Sequence, residues 1–524
     1  MAERDLAAPL RPGFMTGIAA TSGWKVRGLA AALGLIAGLG FAPLNLVPAF
    51  ALGIVGLIWL TVEAPTRRAA FFVGWWWGFG HFAADSYWIA ESFLVDAARF
   101  GWMIPFVIGG LSAYLALFPA LATLALRSAP RPLSFAGIAL FAAAWAVAEW
   151  LRGHLLTGYP WDLAAYVWSG SDAMMQSAAL WGSWGLSLLT VFVLGLPALL
   201  LRMDRRIATA AVGTMAVLLG ALYGGGAWRL SSTVPDSDTM VRIVQPNIAQ
   251  SLKISADDRP HQIDTLMRLT LQTPGFDKVK AVIWPESAAN YLLEREPGLV
   301  QVLAQAAPTD GVLITGAPRG VPASGALDQV WNSLAAIDHQ GRILGTADKF
   351  HLVPLGEYVP FREIFPFINK LTPGSMNFSP GPGPRTLHLP ALPPVSPLIC
   401  YEAIFPGAVT DPNDRPGVLI NITNDGWFGT STGPFQHFAS ARFRAVEEGI
   451  PLLRSANTGI SAVVDAYGRV ETRSTMVVEA VIDAAVPSAL PPTPFARFGA
   501  LTLLPLIVLA LVPMLFGRRK HSIS

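Results

Sequence analysis

The chain has 524 residues, 52% of them hydrophobic and only 14% charged, with a formal net charge of +2 and one cysteine. Soluble domains carry about a quarter charged residues, so this is not a wholly soluble chain, and a single cysteine rules out an internal disulfide. The length suits two or three domains, and no basic stripe with interleaved aromatics points to nucleic acid.

The charge deficit is uneven. Charges are sparse up to about Trp228, ordinary from Arg229 to Arg497, and sparse again before Arg518-Arg519-Lys520. A helix needs about 20 apolar residues to cross the hydrocarbon core. Eight segments are candidate spans: 27–42, 44–62, 69–84, 101–126, 132–151, 178–201, 207–227 and 498–516. The third is short, and only the Pro43 region separates the first two. The division that follows is a transmembrane helical domain (1–228, seven spans), an α/β domain (229–495), and a last span with a short basic tail (496–524). The first span lacks a small-residue cleavage site and polar mature sequence, so it reads as a retained span rather than a signal peptide.

Orientation follows from the basic residues. Arg4, Arg11, Lys25 and Arg27, then Arg67 and Arg68, Arg127 and Arg131, Arg202, Arg205 and Arg206, and the terminal Arg518, Arg519 and Lys520 all fall on one side if the N-terminus is cytoplasmic. Both termini are then cytoplasmic and the α/β domain lies outside. Near the outer end of the fifth span, Glu149 and Arg152 read as snorkelling groups or a local ion pair. Trp75, Trp76 and Trp77 read as an interfacial aromatic belt, and Thr157-Gly158-Tyr159-Pro160-Trp161 as a turn on the outer face.

In the α/β region, short β-branched or apolar runs alternate with turns and helical stretches. Strands are expected at 241–244, 281–284, 312–315, 334–337, 396–399, 418–422, 452–455 and 461–465, with a helix at 435–449 before the last pair. Phe438, Arg442 and Ala445 fall near one face of that helix. The alternation implies a layered sandwich. Chemically capable residues follow the strands, where sites in α/β proteins gather: Glu286 after 281–284, Cys400 after 396–399, Asn424 and Asp425 after 418–422. Lys349 sits in Thr346-Ala347-Asp348-Lys349. A lone Cys is either an inert buried residue or a nucleophile, the second only if a base and an oxyanion partner exist. For Glu286 and Lys349 the structural alternatives are a surface turn carboxylate and a solvated lysine paired with Asp348.

Trp284-Pro285-Glu286, then Asp348-Lys349 with Leu352-Val353-Pro354-Leu355-Gly356-Glu357-Tyr358, then Ile399-Cys400-Tyr401-Glu402 resemble the three motifs of the nitrilase superfamily. Together with the span layout and with Gly40-Phe41-Ala42-Pro43, Gly158-Tyr159-Pro160-Trp161, Gln245-Pro246-Asn247 and Asn424-Asp425-Gly426-Trp427-Phe428-Gly429, nearly the whole chain is similar to the apolipoprotein N-acyltransferase family, a membrane-bound branch of that superfamily. The resemblance implies a nitrilase-like αββα sandwich with a Glu286–Lys349–Cys400 triad. Glu286 acts as general base, Cys400 as nucleophile, and Lys349 stabilises the oxyanion and favours the thiolate. It further implies that Glu357 assists the lysine or the base and that Tyr401 and Glu402 shape the nucleophile turn, a structural ion pair being the alternative for Glu402. His351 and His437 are not needed by this chemistry and read as hydrogen-bonded structural residues. The stretch 350–384, rich in Pro, Gly and Phe, reads as an arm over the site or an ordered loop.

The implied activity is transfer of an acyl chain from a membrane phospholipid, in this family usually phosphatidylethanolamine and its sn-1 chain, to the α-amino group of a diacylglyceryl-cysteine on an apolipoprotein. It runs through a Cys400 thioester, with no metal or organic cofactor. A monomer in the bacterial inner membrane with a periplasmic catalytic domain is expected. The competing expectations are a membrane-tethered nitrilase-like amidase and a noncatalytic lipid-binding or transport protein.

Overall fold

The computed structural model describes residues 23–202, 204–322, 324–360, 363, 370–372 and 376–517. The basic clusters at Arg4, Arg11 and 518–520, and parts of the 350–384 stretch, lie outside the described residues.

Helices occupy each apolar segment: α1 (Gly23–Gly38), α2 (Val47–Glu63), α3 (Arg67–Asp85), α4 (Ile104–Leu115) running into α5 (Leu117–Ser128), α6 (Phe135–His154), α7 (Ala178–Gly195), α8 (Arg205–Leu230) and, at the C-terminal end, α12 (Leu503–Gly517). Among the described residues, five stretches are long and apolar enough to cross a membrane: Ala97–Ser128, Phe135–His154, Ala178–Leu200, Arg205–Leu230 and Pro494–Val512. Val47–Glu63 is apolar but shorter. With no hydrophobic drive between helices in lipid, close backbone approach through small residues carries the packing. A Cβ on Gly34 would lie 1.9 Å from the Trp77 carbonyl oxygen, and one on Gly80 2.1 Å from that of Ala31, so α1 and α3 touch backbone to backbone. By contrast α8 and α12 turn Val217, Tyr223, Val508 and Leu509 outward, an apolar exposure suited to lipid as solvent.

Between α8 and α12 two sheets face each other. The first has the order β11-β1-β2-β3-β4-β5, the second β10-β9-β8-β7-β6. In chain order the strands are β1 (Asp236–Gln245), β2 (Ala281–Ile283), β3 (Val312–Val321), β4 (Gln329–Ile337), β5 (Ile343–Asp348), β6 (Val395–Ile399), β7 (Val418–Thr423), β8 (Leu452–Ala456), β9 (Ala462–Val464), β10 (Val470–Arg473) and β11 (Ala480–Pro487). β1, β2 and β3 run parallel, as do β6, β7 and β8. Covered on both faces, these strands are continuous apolar runs. One face of each sheet forms the shared core, with Ile243, Ile283 and Ile314 opposite Ile399, Ile420 and Leu453. The outer face of the first sheet is covered by α9 (Arg259–Gln272) and α10 (Pro297–Leu303), that of the second by α11 (Gly433–Glu448). This is an αββα sandwich.

Each expected strand overlaps an observed one, those at 281–284 and 461–465 running one residue past the ends of β2 and β9. The edge strands β5, β10 and β11 were not anticipated, because their mixed polar and small-residue sequences lack the apolar run of the interior strands. Helix α11 also departs from a one-faced reading. Phe438 and Ala445 pack on the second sheet, whereas Phe443 and Val446 join the membrane-domain core and Arg442 donates to Ser169 O at 2.9 Å. The helix is buried on both sides because it is the interface. Its polar groups are matched across it. Glu447 Oε1 accepts from Ser183 N (2.7 Å) and Ser183 Oγ (2.6 Å). Arg444 pairs with Glu447 at 3.0 Å and donates to Tyr166 Oη and Ser183 Oγ. Gly182, with φ of 66°, breaks α7 so that Ser183 can present its N–H. Removing one partner of such a buried group is costly, so Glu447→Ala is expected to lower stability by about 3–5 kcal/mol. Thermal unfolding of the detergent-solubilised protein checks this, and an unchanged midpoint would show that this contact does not hold the two parts together.

Candidate active site

The three motif residues arise from separate strand ends that the sandwich gathers. Glu286 lies in the turn after β2. Gly316 on the neighbouring β3 lets that turn lie flat, since a Cβ there would sit 2.4 Å from Ser287 N and 2.7 Å from Glu286 Cα. Lys349 directly follows β5. Cys400 directly follows β6 and opens a short helical turn, with φ of 53°. Left-handed backbone at a non-glycine residue is strained and persists only where its surroundings hold it.

Glu286, Lys349 and Glu357 are buried and in direct contact. Lys349 Nζ lies 3.3 Å from Glu286 Oε1 and 3.0 Å from Glu357 Oε1. Asn332 Nδ2, from β4, donates to the same two oxygens at 2.7 and 2.8 Å. The second oxygens are also satisfied: Asn424 N donates to Glu286 Oε2 at 2.9 Å, and Val353 N to Glu357 Oε2 at 2.8 Å. Burial alone would favour neutral Lys349, but the charges of Glu286 and Glu357 outweigh it and hold its pKa above the ordinary lysine value. The lysine does not pair with Asp348, which turns to the other side of β5 and is held by Arg319 at 2.6 and 2.8 Å and by Ser333 Oγ at 2.6 Å. A second buried lysine, Lys253, donates to Ser287 O at 3.1 Å. Burial lowers its pKa to about 8, against the pull of Glu286.

The Cys400 thiol is buried and feels both charges. Burial and then Glu286 push its pKa up, and Lys349 opposes them without prevailing. The expectation that Lys349 favours the thiolate holds in sign but not in net effect, because desolvation penalises the anion more than one ammonium favours it. Among the described residues Glu402 makes no ion pair. Its Oε1 accepts from Phe350 N (2.6 Å) and His351 N (3.3 Å), its Oε2 from Ile399 N (2.7 Å). It thereby ties the chain leaving Lys349 to the chain entering Cys400. Tyr401 Oη donates to Gly158 O at 3.1 Å, and the Tyr401 ring packs in a cluster with Trp88, Trp161, Ile404 and Phe405. The nucleophile turn therefore rests on the membrane domain. His351 stacks on Phe405 with ring centroids 3.8 Å apart. His437 reaches the Cys400 carbonyl, Nε2 to O being 3.0 Å.

The 158–161 turn is fixed from below. Arg152 does not snorkel: it is buried and donates to Tyr159 O (2.8 Å) and Trp161 O (2.6 Å). Glu149 Oε1, also buried, accepts from Trp145 Nε1 and Ala164 N at 2.9 and 2.8 Å. Sequence reasoning missed Asn332, Lys253 and the contact of His437. For Asn332 a signal existed, a polar Asn332-Ser333 pair inside a strand otherwise apolar at its buried end. For the other two it did not, since an isolated Lys or His in a helical stretch has many uses.

Residues 33–196 match the apolipoprotein N-acyltransferase N-terminal domain, and residues 240–491 match the carbon-nitrogen hydrolase family. An apolipoprotein N-acyltransferase of Rhodopseudomonas palustris is 39% identical over 96% of this chain and 97% of its own length. One of Bradyrhizobium diazoefficiens is 40% identical over 94% and 95%. Among solved structures, an amidase from Nesterenkonia sp. aligns at 18% identity and a TM-score of 0.35, over 49% of this chain and 94% of its own. On the match of both halves and the near full-length likeness to those relatives, the chain belongs to the apolipoprotein N-acyltransferase family, within the carbon-nitrogen hydrolase superfamily.

Proposed function

We propose that the protein moves an acyl chain from a membrane phospholipid to the α-amino group of a diacylglyceryl-cysteine at an apolipoprotein N-terminus, in two steps through a thioester on Cys400. Glu286 takes the thiol proton as Sγ attacks the ester carbonyl. Lys349 Nζ stabilises the oxyanion. As the ester C–O bond breaks, Glu286 returns the proton to the leaving alkoxide and a lysophospholipid departs. The amine then attacks the thioester carbonyl, Glu286 takes its proton, the C–S bond breaks and the thiolate is reprotonated. Glu357 and Asn332 hold Lys349 and Glu286 in register, and Glu402 and Tyr401 hold the nucleophile turn.

The observation that carries this reading is the seating of the Cys400 turn on the membrane domain through Tyr401, Gly158 and Trp161. A triad facing that domain meets lipid esters before it meets soluble amides. Phosphatidylethanolamine is the proposed donor. In this reading eight helices span the inner membrane, both termini are cytoplasmic, and the sandwich is periplasmic.

Incubation with phospholipid alone is expected to leave a fatty acyl group on Cys400, read as a mass increase on the peptide that contains it, and Cys400→Ala is expected to abolish both this adduct and transfer to a diacylated lipopeptide. Hydrolysis of small amides with the lipopeptide left unacylated would overturn the transferase reading. Glu286→Gln keeps the hydrogen bonds of Asn332 and Lys349 to one oxygen but removes the base. It is expected to slow acyl-enzyme formation by about 10²–10⁴-fold in single-turnover assays. A rate near that of the wild type would assign the base elsewhere.

A further inference from the structure

His437 projects from α11 and is completely buried, behind the nucleophile. Its Nε2 lies 3.0 Å from Cys400 O, and its Nδ1 lies 2.9 Å from Asp425 Oδ1 and 3.2 Å from an Arg454 guanidinium nitrogen. A carbonyl oxygen only accepts, so Nε2 must carry a proton whatever Nδ1 does. The partners are themselves fixed. Arg454 Nη2 donates to Asp425 Oδ2 at 2.8 Å, Thr423 Oγ1 donates to Asp425 Oδ1 at 2.9 Å, and Arg454 Nη1 also reaches Asn421 Oδ1. Asn421 Nδ2 in turn donates to Leu398 O at 3.1 Å, just before the turn. Trp161 and Phe428 close the ring in, with centroids 5.7 and 5.8 Å away. The charged groups that face His437 are thus Asp425 and Arg454, with the Cys400 thiol beyond its own carbonyl. Burial and then Arg454 lower the imidazole pKa, and the Asp425 carboxylate opposes them.

We propose that His437 is a positioning residue for the nucleophile: its Nε2–H holds the Cys400 carbonyl and so keeps Cys400 in the left-handed conformation that sets its thiol towards Glu286 and Lys349. No other side chain makes as short a contact with that carbonyl among the described residues; the Asn421 amide stands 3.5 Å away. The imidazole neither touches substrate nor takes the thiol proton. This role rests on the reading of Cys400 as the acylated nucleophile.

Two polar substitutions separate the two ring nitrogens. In His437→Gln the amide nitrogen reaches about as far as Nε2 and keeps a donor for the Cys400 carbonyl. In His437→Asn the amide reaches only as far as Nδ1 and loses it. Single-turnover acylation of Cys400 by phospholipid is expected to fall about tenfold to one-hundredfold in His437→Asn, with KM for both substrates unchanged, and to recover largely in His437→Gln. Equal rates in the two variants at equal folded fraction would overturn the proposal. Isotope-labelled histidine NMR on the wild-type protein gives a test independent of variant folding: the His437 proton is expected on Nε2, and a ring protonated on Nδ1 alone would overturn it. Cys400→Ala run alongside keeps the two claims apart. Normal acylation in His437→Asn but none in Cys400→Ala removes the role of His437 only, whereas acyl transfer surviving Cys400→Ala removes the thioester reading beneath it.

Discussion

The rest of the structure depends on the buried polar contact between α11 and the membrane domain. A helix that covers a sandwich in a soluble protein presents its outer face to water. Here that face carries Glu447, Arg444, Arg442 and Gln436, each matched to a group from the apolar region: Ser183, Tyr166, Ser169 with Asp172, and Trp161. Such a set of charged partners tolerates little sliding, because each displaced group would be left buried and unpaired. It fixes which strand ends look towards the helices and places the Cys400 turn against the 158–161 loop.

Within the sandwich, placement is shared between the two sheets. Glu286, Asn332 and Lys349 come from the first, Cys400 and Asn424 from the second, and the common core of Ile283, Ile314, Ile399 and Ile420 sets the distance between them. Two cross-links refine it: Asn424 N bonds Glu286, and Glu402 joins the segments after β5 and before Cys400. Core packing in such an arrangement is felt at the site, because interiors are close-packed and transmit small displacements.

Much of this was legible in the chain. Apolar runs located the helices, and the interior strands were visible as short β-branched segments ending in Pro, Gly or Asn. Glu286 and Cys400 stood out because each follows an expected strand, Lys349 only through the resemblance of its motif, since the strand β5 before it was not expected; their grouping in space follows from the topology. What was not legible has a common cause. Asn332, Lys253, and the contacts of Glu402 with Phe350 and of His437 with Cys400 act through partners 25 to 52 residues away in sequence, several of them backbone groups, which every residue carries. Arg152 was misread for the same reason. From sequence a basic residue near a helix end snorkels, but two carbonyls of the following turn capture it. The edge strands β5, β10 and β11 were invisible because much of their surface faces solvent and their apolar pattern is correspondingly diluted.

The electrostatic balance at the triad follows from this construction. Two carboxylates share one ammonium, Asn332 bridges them, and the thiol beside them is neutral at rest. A permanent thiolate in so dry a place would need more positive charge than Lys349 supplies, since Glu286 offsets part of it. In the proposed reaction the proton leaves as Sγ closes on the ester carbonyl, and Lys349 is placed to meet the charge that develops on the carbonyl oxygen. Burial that looks adverse to a nucleophile thus acts as a filter. In that reading it disfavours the thiolate through which oxidants and alkylating agents act and makes reaction depend on an acyl carbonyl seated against the lysine. In the same reading, the hydrogen bond from His437 Nε2 holds the nucleophile from its carbonyl side and so orients the sulfur through the backbone.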